Sequence, residues 1–282
     1  MSKILYVPVM LEGLVIGKNS APLADLAPDY SRISEIPLGK YTTRLFGTKK
    51  ELPGIHLHWT MPDALLSGTH TSGSSGEIRF PDLPNRWIVQ RLWVKNGEIK
   101  QKAWMIESDF VTNHPLTGAE QYDRTSIPTF RLENGLWEGA GLDGQIYGYL
   151  GGARIYGTEN LEEGYYLSKL TAVGSGDVSF AAFYPKSRSV FGFYDSMEDE
   201  ESGTYTYVLT GYYENEEKDP LTGADKETLK TLAWSCLDSG EIPGKTVCHS
   251  VLGQVEWRGA DQEYPSGVSE EDIGVYIGNT SA

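Results

Sequence analysis

The stretch RWIVQRLWVKNGEIKQKAWMIES (residues 86–108) carries the strongest indication of the fold class of this chain. Apolar and polar residues alternate on both sides of Asn96-Gly97, and this period of two is typical of strands with one buried face. Asn-Gly between two such runs predicts a type I′ turn, because both central residues of that turn need a positive φ. We therefore predict a β-hairpin over residues 86–108.

Working outward from this hairpin, short runs rich in Val, Ile, Tyr, Phe and Trp recur between clusters of Gly, Pro, Asn and Asp. Helical patterns are sparse: residues 62–66 could form one turn, residues 225–232 carry a short helical pattern, and 178–184 is ambiguous between strand and helix. The sequence thus predicts an all-β fold, either sandwich-like or an irregular barrel, with long loops and a few short helices. Besides the hairpin, the predicted strands are 4–9, 14–16, 55–59, 164–172, 190–194, 204–213, 231–236, 247–257 and 274–277.

The chain has 282 residues, a length that suits one large domain or two modest ones. We interpret residues 1–282 as one β-rich module that forms the N-terminal part of a longer protein. The alternative is a division inside the glycine-rich span 135–157, which would give halves of similar size.

The charge balance limits the classes of partner. The chain carries 39 acidic and 24 basic residues, a formal net charge of −15. Nucleic acid and anionic membrane surfaces repel such a chain, so neither is expected as a partner. No apolar run approaches the roughly 20 residues that cross a bilayer, which argues against membrane insertion. The first residues lack the pattern of a signal peptide. We expect cytoplasmic synthesis, with non-classical export or assembly into a particle as open routes.

The two cysteines, Cys236 and Cys248, do not form a disulfide framework or a CxxC motif. Two partly buried thiols in a reducing compartment are the favoured interpretation. A single bridge across the segment between them is the alternative.

His56 and His58 form the sharpest local motif, H-x-H in a predicted strand. Residues two apart share a face of a strand, so both imidazoles could reach one divalent metal ion. A catalytic zinc site generally needs three protein ligands. The favoured interpretation is that His56 and His58 form a polar stripe that hydrogen-bonds to neighbouring loops. Apart from a possible divalent metal ion at these histidines, no cofactor is expected. Candidates for a further ligand are Asp63, His70, His114 and His249.

Two acidic runs, 195–203 and 214–219, flank the predicted strand 204–213. They are most simply solvated loop tips. Calcium is the alternative, because hard cations bind clustered carboxylates, although the chain has no D-x-D-x-D-G pattern. The carboxylates in question are Asp195, Glu198, Asp199 and Glu201.

Arg86 and Trp87 follow two prolines at the entry to the hairpin. A structural corner is the favoured interpretation, because proline-bounded turns position strands. The alternative is a recognition surface built from Arg86 and Trp87. Seven Trp and seventeen Tyr residues could also provide stacking platforms for glycans, although alternating aromatic residues more often fill the core between two sheets.

Three sequence blocks carry a resemblance to a protein family: HLHW-x-x-PDAL (56–65), FP-x-x-PNRW (80–87) and FGFYD (191–195). They resemble the N-terminal region of a group of large multi-domain bacterial proteins that have no established activity. The resemblance extends over most of the chain and implies that the polypeptide continues beyond residues 277–282. It implies no catalytic residue.

The sequence contains no nucleophile elbow. It also contains no phosphate-binding loop between a predicted strand and a predicted helix. The sequence favours a non-enzymatic structural or recognition module of a large bacterial assembly, phage-tail-like or surface-associated. Its expected partners are other proteins or other domains of the same longer chain. The first alternative is a metal-dependent enzyme or metal-binding module centred on His56 and His58. The second alternative is a glycan-binding module.

Overall fold

The fold is described from a computed structural model, in which residues 4–17, 53–70, 78–112, 125–126, 131–132, 135–136, 149–158, 165–167, 169–171, 191–198, 200–224 and 244–261 are described. Most of these residues lie in strands. Two sheets face each other, and they do not close into a barrel. The all-β, sandwich-like prediction is therefore confirmed, and the barrel alternative is not adopted.

The larger sheet, called the main sheet here, contains eight strands of the described chain in the order β1-β15-β14-β6-β7-β11-β8, with β12 paired to β7. Neighbouring strands of this sheet are antiparallel, except that β1 runs parallel to β15. The strands are β1 (Ile4–Pro8), β6 (Arg86–Lys95), β7 (Glu98–Thr112), β8 (Thr125–Ser126), β11 (Tyr149–Ile155), β12 (Tyr165–Tyr166), β14 (Gly203–Tyr212) and β15 (Lys245–Trp257).

The smaller sheet, called the second sheet here, has the order β13-β3-β2. Its strands are β2 (Met10–Ile16), β3 (Gly54–Thr60) and β13 (Gly192–Asp195). Two short hairpins pair β4 (Thr69–His70) with β5 (Ile78–Arg79), and β9 (Arg131–Leu132) with β10 (Gly135–Leu136). The described helices are α1 (Asp63–Leu66), at the predicted turn, and a 3-10 turn (Glu216–Lys218).

The predicted type I′ hairpin is confirmed. Asn96 and Gly97 have φ angles of 54° and 78°, and Lys95 pairs with Glu98 across the turn. Within β6, Trp87 and Val89 are buried while Ile88 and Gln90 are half-exposed, as the alternating pattern requires.

A single change of direction connects the two sheets near the N-terminus. Pro8 ends β1 in the main sheet, and Met10 begins β2 in the second sheet. The intervening Val9 donates its backbone N–H to the carbonyl of His249 at 3.2 Å. Proline suits this position because it cannot donate to a continuing ladder. The N-terminal strands therefore close one side of the sandwich.

Aromatic rings fill the space between the sheets. The ring of Trp59 on β3 lies 5.3 Å from that of Trp87 on β6, and Trp104 on β7 lies 4.7 Å from Phe193 on β13. All four side chains are less than 9% exposed. Burial of aromatic area is the largest single source of hydrophobic stabilisation in such a core.

Several predicted strands have different bounds in the structure. The strand predicted at 14–16 begins at Met10, and β7 continues to Thr112. The strand predicted at 164–172 is reduced to Tyr165–Tyr166. The span 135–157 contains β11, a strand of the main sheet, and the division of the chain there stays a prediction. The elements predicted at 225–232, 231–236 and 274–277 lie outside the described residues.

Among the helices of the described residues, none is both long and apolar enough to cross a membrane.

Cys248 is a free, fully buried thiol on β15. Cys236, the other half of the bridge considered from the sequence, lies outside the described residues.

Gly211 allows Trp87 to pack against the backbone of β14. A Cβ atom at position 211 would lie 2.2 Å from Trp87 Cζ3. We expect Gly211→Ala to lower the free energy of unfolding by about 1–3 kcal/mol, the usual range for overpacking a core. Urea denaturation measures this change. Gly253→Ala on β15 is the matched control, because its Cβ would have no heavy atom within 4 Å. Equal stability of the two variants would contradict the packing argument.

Burial raises the pKa of the Cys248 thiol to about 12, with a smaller contribution from Asp219. The folded-state pKa lies above the ordinary value, so the folded protein favours the neutral thiol, and this contribution to stability is lost as pH rises above the unfolded-state value. In a Cys236→Ser variant we expect Cys248 to stay unreactive towards a thiol reagent at pH 8 and to react fully in urea. Rapid labelling of Cys248 in the folded protein would contradict the burial of its thiol.

Candidate functional site

Arg91 lies at the centre of a buried charged site between the two sheets. It projects from β6 into the space between the sheets and is 1% exposed. Its Nη1 donates to both carboxylate oxygens of Asp195, at 2.9 and 2.7 Å, and its Nη2 pairs with Glu200. Because Asp195 belongs to β13, this ion pair joins the main sheet to the second sheet.

Neighbouring groups fix the Asp195 carboxylate. Tyr207 on β14 donates its hydroxyl to Asp195 Oδ2 at 2.9 Å, and the backbone N–H of Met197 donates to Oδ1 at 3.4 Å. Met197 takes a positive φ of 52°, which turns the chain back towards the pair. Burial, and to a lesser extent the charge of Asp195, raises the pKa of Tyr207 well above its ordinary value. The hydroxyl is therefore a permanent donor.

Aromatic rings enclose the guanidinium. Its Cζ atom lies 4.9 Å from the ring centre of Trp93 and 5.4 Å from that of Trp104. Burial alone would lower the pKa of Arg91, but the attraction of Asp195, with smaller contributions from Tyr207 and Glu200, raises it above the ordinary value. The cation is thus retained inside the sandwich by carboxylates and ring faces together.

A cleft of about 250 Å³ opens beside this cluster, where the segment after β13 meets β7 and β11. Its wall includes apolar groups of Trp104, Phe193 and Ile155. Lys102 and Glu198 line the same cleft and are exposed. The cleft therefore combines an apolar wall with both signs of charge.

A second buried network surrounds Arg86, on the opposite face of the main sheet. Arg86 Nη1 donates to Asp109 Oδ1 at 2.5 Å, and Asn85 Nδ2 donates to Asp109 Oδ2 at 2.7 Å. The guanidinium lies 4.8 Å from the ring centre of Tyr166. Burial opposes the charged form, but Asp109 and then Glu107 raise the pKa of Arg86 above its ordinary value.

Glu107 extends this network. Its two carboxylate oxygens accept hydrogen bonds from Arg154 Nε at 3.0 Å and from the Tyr166 hydroxyl at 2.7 Å. Burial, and then the bond to Glu107, raises the pKa of Tyr166 far above its ordinary value. Each buried charge in the network has a partner of opposite sign, which is the arrangement expected of groups that hold a fold together.

Arg86 and Trp87 are not brought to one surface. Adjacent residues of a strand point to opposite faces. Arg86, 7% exposed, belongs to the network on the outer face, whereas Trp87 is fully buried between the sheets. Trp87 Nε1 donates to the carbonyl of Pro84 at 3.2 Å. These contacts are those of a structural corner, and recognition by Arg86 and Trp87 stays a prediction.

His56 and His58 do share the outer face of β3, as predicted, while Ile55, Leu57 and Trp59 are buried on the other face. The His56 ring lies 4.7 Å from the ring of Tyr194, and His58 Nδ1 lies 3.9 Å from Glu12 Oε2. Within the described residues, no three His, Cys, Asp or Glu side chains are grouped so that they could hold a metal ion.

The proposed further ligands are dispersed. Asp63 is an exposed residue of α1, and His249 is exposed on β15. His70 lies in β4, and His114 lies outside the described residues. Metal binding by His56, His58 and Asp63 stays a prediction. The described residues place no third ligand beside His56 and His58.

The interpretation of both acidic runs as solvated loop tips is wrong for two residues. Asp195 is 4% exposed because it neutralises Arg91, and Asp219 is 3% exposed. Asp219 accepts from the backbone N–H of Thr246 at 2.6 Å and so attaches its loop to β15. Of the other calcium candidates, Glu201 pairs with Lys95 at 2.8 Å, Glu198 lines the cleft, and Asp199 lies outside the described residues.

Arg91 and Glu107 were not identified from the sequence. A signal for Arg91 was present, because it occupies an inward position in the alternation Trp87, Val89, Arg91, Trp93. A cation at an inward position requires a buried counter-ion. For Glu107 the corresponding signal is weak, since it lies at an outward position of β7.

Comparison with protein families, curated proteins and solved structures found no match to this chain by sequence or by fold. The site is therefore interpreted from its own geometry.

Removal of the Asp195 carboxylate leaves the Arg91 cation and the Tyr207 hydroxyl without their main acceptor. We expect Asp195→Ala to lower the free energy of unfolding by about 3 kcal/mol or more, the usual cost of breaking a buried ion pair. Chemical denaturation measures the loss. Glu201→Ala, which breaks the exposed pair with Lys95 on the same strand as Arg91, should cost far less, because water screens that pair. Similar losses in both variants would refute a structural role for the buried pair.

Proposed function

We propose that this chain is a non-enzymatic structural or recognition module of a large bacterial assembly, and that the outer face of its main sheet binds a protein partner. The observation that supports this is an apolar surface on that face, called the outer apolar face here. Its exposed members, between 42% and 78% exposed, are Ile4, Tyr6, Val94, Ile99 and Val251.

The strand registers place Val94 and Ile99 at one end of this face and Ile4 and Tyr6 at the other, with Val251 between them. Val94 pairs with Ile99 across the hairpin, and Val251 pairs with Val208 on β14. Tyr6 pairs with Val247 at the β1 edge. All of them point away from the aromatic core, so they give this face exposed apolar side chains of the kind that interaction sites use.

The size of the whole outer face, of which the outer apolar face is a part, suits such a role. The central strands β6 and β14 contain ten residues each and span roughly 33 Å, and five strands are about 19 Å wide, so the outer face, polar residues included, covers roughly 600 Å². A standard protein interface buries about 800 Å² on each partner. The face therefore provides most of the area that one stable contact requires.

Charge favours a different protein over a second copy of this chain. Two copies would each carry a formal charge of −15 and would repel each other. Glu214, Glu216 and Glu217 form an exposed acidic segment directly after β14. The partner we propose has an apolar centre and a basic rim, which these carboxylates would attract.

A photo-crosslinking residue placed at Val94 or Ile99 tests the proposal in the cells that produce the protein. We expect both positions to cross-link to one identifiable protein, because both lie at the hairpin end of the outer apolar face. A crosslinker at Met10 is the matched control, since Met10 is 45% exposed but lies on the second sheet. Crosslinks confined to position 10, or none from positions 94 and 99, would overturn the proposal.

The affinity of the chain for the protein identified by cross-linking is then measured. Ile99→Lys should weaken this affinity about tenfold or more, because it places a charge among the apolar side chains at the hairpin end of the contact. Met10→Lys should leave the affinity unchanged. Ile99 is 78% exposed at the end of the hairpin, so its replacement leaves the core intact. Full affinity in Ile99→Lys would contradict the assignment of the surface.

A further inference from the structure

The cleft beside Arg91 contains polar groups that have no polar partner among the described residues. Lys102 lies directly opposite Arg91 on the neighbouring strand, a like-charge pair. Arg91 has two carboxylate partners, but among the described residues Lys102 has only the ring of Trp104, at 5.2 Å. The buried Nε of Arg91 also lacks a hydrogen-bond acceptor in the described part of the chain. Because that Nε is enclosed, Lys102 is the donor that the cleft offers to a ligand.

Unused acceptors face the same space. Glu198 and Ser196 line the cleft, and neither makes a hydrogen bond or ion pair with another described residue. Ile155 provides an apolar wall, 41% exposed, directly opposite Trp104 in the strand register. Donors, acceptors and an apolar surface thus converge within one small cleft.

Charge and volume restrict the ligand. Two cations, Arg91 and Lys102, face three carboxylates, those of Asp195, Glu198 and Glu200, so the lining has a net charge of −1. This balance gives no advantage to an anion.

The volume of the cleft, about 250 Å³, lies below the range of about 300–1,000 Å³ that is usual for sites of drug-sized ligands. This small volume argues against nucleotides and large cofactors.

We propose that this cleft binds one neutral pyranose unit of a glycan. A sugar hydroxyl donates and accepts at the same time, so a single ring can satisfy both Lys102 and Glu198. The C–H face of the ring packs on Ile155. The site is separate from the outer apolar face, so it does not depend on a protein partner binding there.

Ligand-observed NMR with the full chain tests this site. The probes are the methyl glycosides of glucose, galactose and mannose, together with N-acetylglucosamine and, as a charged comparison, glucuronic acid and methylamine. We expect at least one neutral sugar to bind with millimolar affinity and in preference to both charged probes.

Variants locate the binding. Glu198→Ala and Lys102→Ala should each weaken the affinity for that sugar about tenfold or more, the usual effect of a lost hydrogen bond to a charged group. Lys100→Ala is the matched control: Lys100 is two residues away on the same face of β7, is paired with Glu98, and lies outside the cleft. Its affinity should be unchanged.

Three outcomes would overturn the proposal: no neutral sugar binds at tens of millimolar, methylamine or glucuronic acid binds better, or the cleft variants bind as well as Lys100→Ala. Glu198 and Lys102 are exposed, and circular dichroism of each variant verifies that the fold is retained. A failure here would leave the outer apolar face untouched, since its crosslinks are measured independently.

Discussion

Arg91 and Asp195 form the contact on which the arrangement of the two sheets depends. One residue comes from each sheet, and the two residues are only 1% and 4% exposed. A buried charge without a partner is very unfavourable, so only an alignment that brings the guanidinium to the carboxylate is compatible with a folded core. Trp87, Trp59 and the other rings provide most of the hydrophobic stabilisation, but rings can pack in several registers. The directional ion pair selects among them.

The same contact shapes the molecular surface on that side of the sandwich. Because Asp195 is held by Arg91 and Tyr207, the segment that follows β13 turns back over the edge of the main sheet. This turn forms one wall of the cleft, which Glu198 and Lys102 both line. The buried carboxylates are committed to holding the sheets, whereas the exposed groups around them remain available to a ligand. The outer apolar face owes its character to a different cause, the absence of a described layer above those strands.

Features encoded by neighbouring residues were predictable from the sequence. The hairpin at Asn96-Gly97, the strand character of β3, β14 and β15, and the shared face of His56 and His58 follow from local φ preferences and a period of two. The extent of β7 was not predictable in this way, because its last residues pair with Tyr165 and Tyr166, far along the chain. The acidic run beginning at Asp195 has a composition typical of a solvated loop, and composition does not distinguish a carboxylate that is paired in the core.

Local sequence was therefore sufficient for the all-β class and for the direction of each side chain along its strand, since steric limits on φ and ψ act between neighbours. Long-range packing was needed to assign roles to the charged residues. Arg91 and Asp195 are 104 positions apart, and Arg91 and Glu200 are 109 apart. Whether a charged side chain lies in water or in the core depends on which strands meet, and that is settled by the free energy of the whole assembled sandwich.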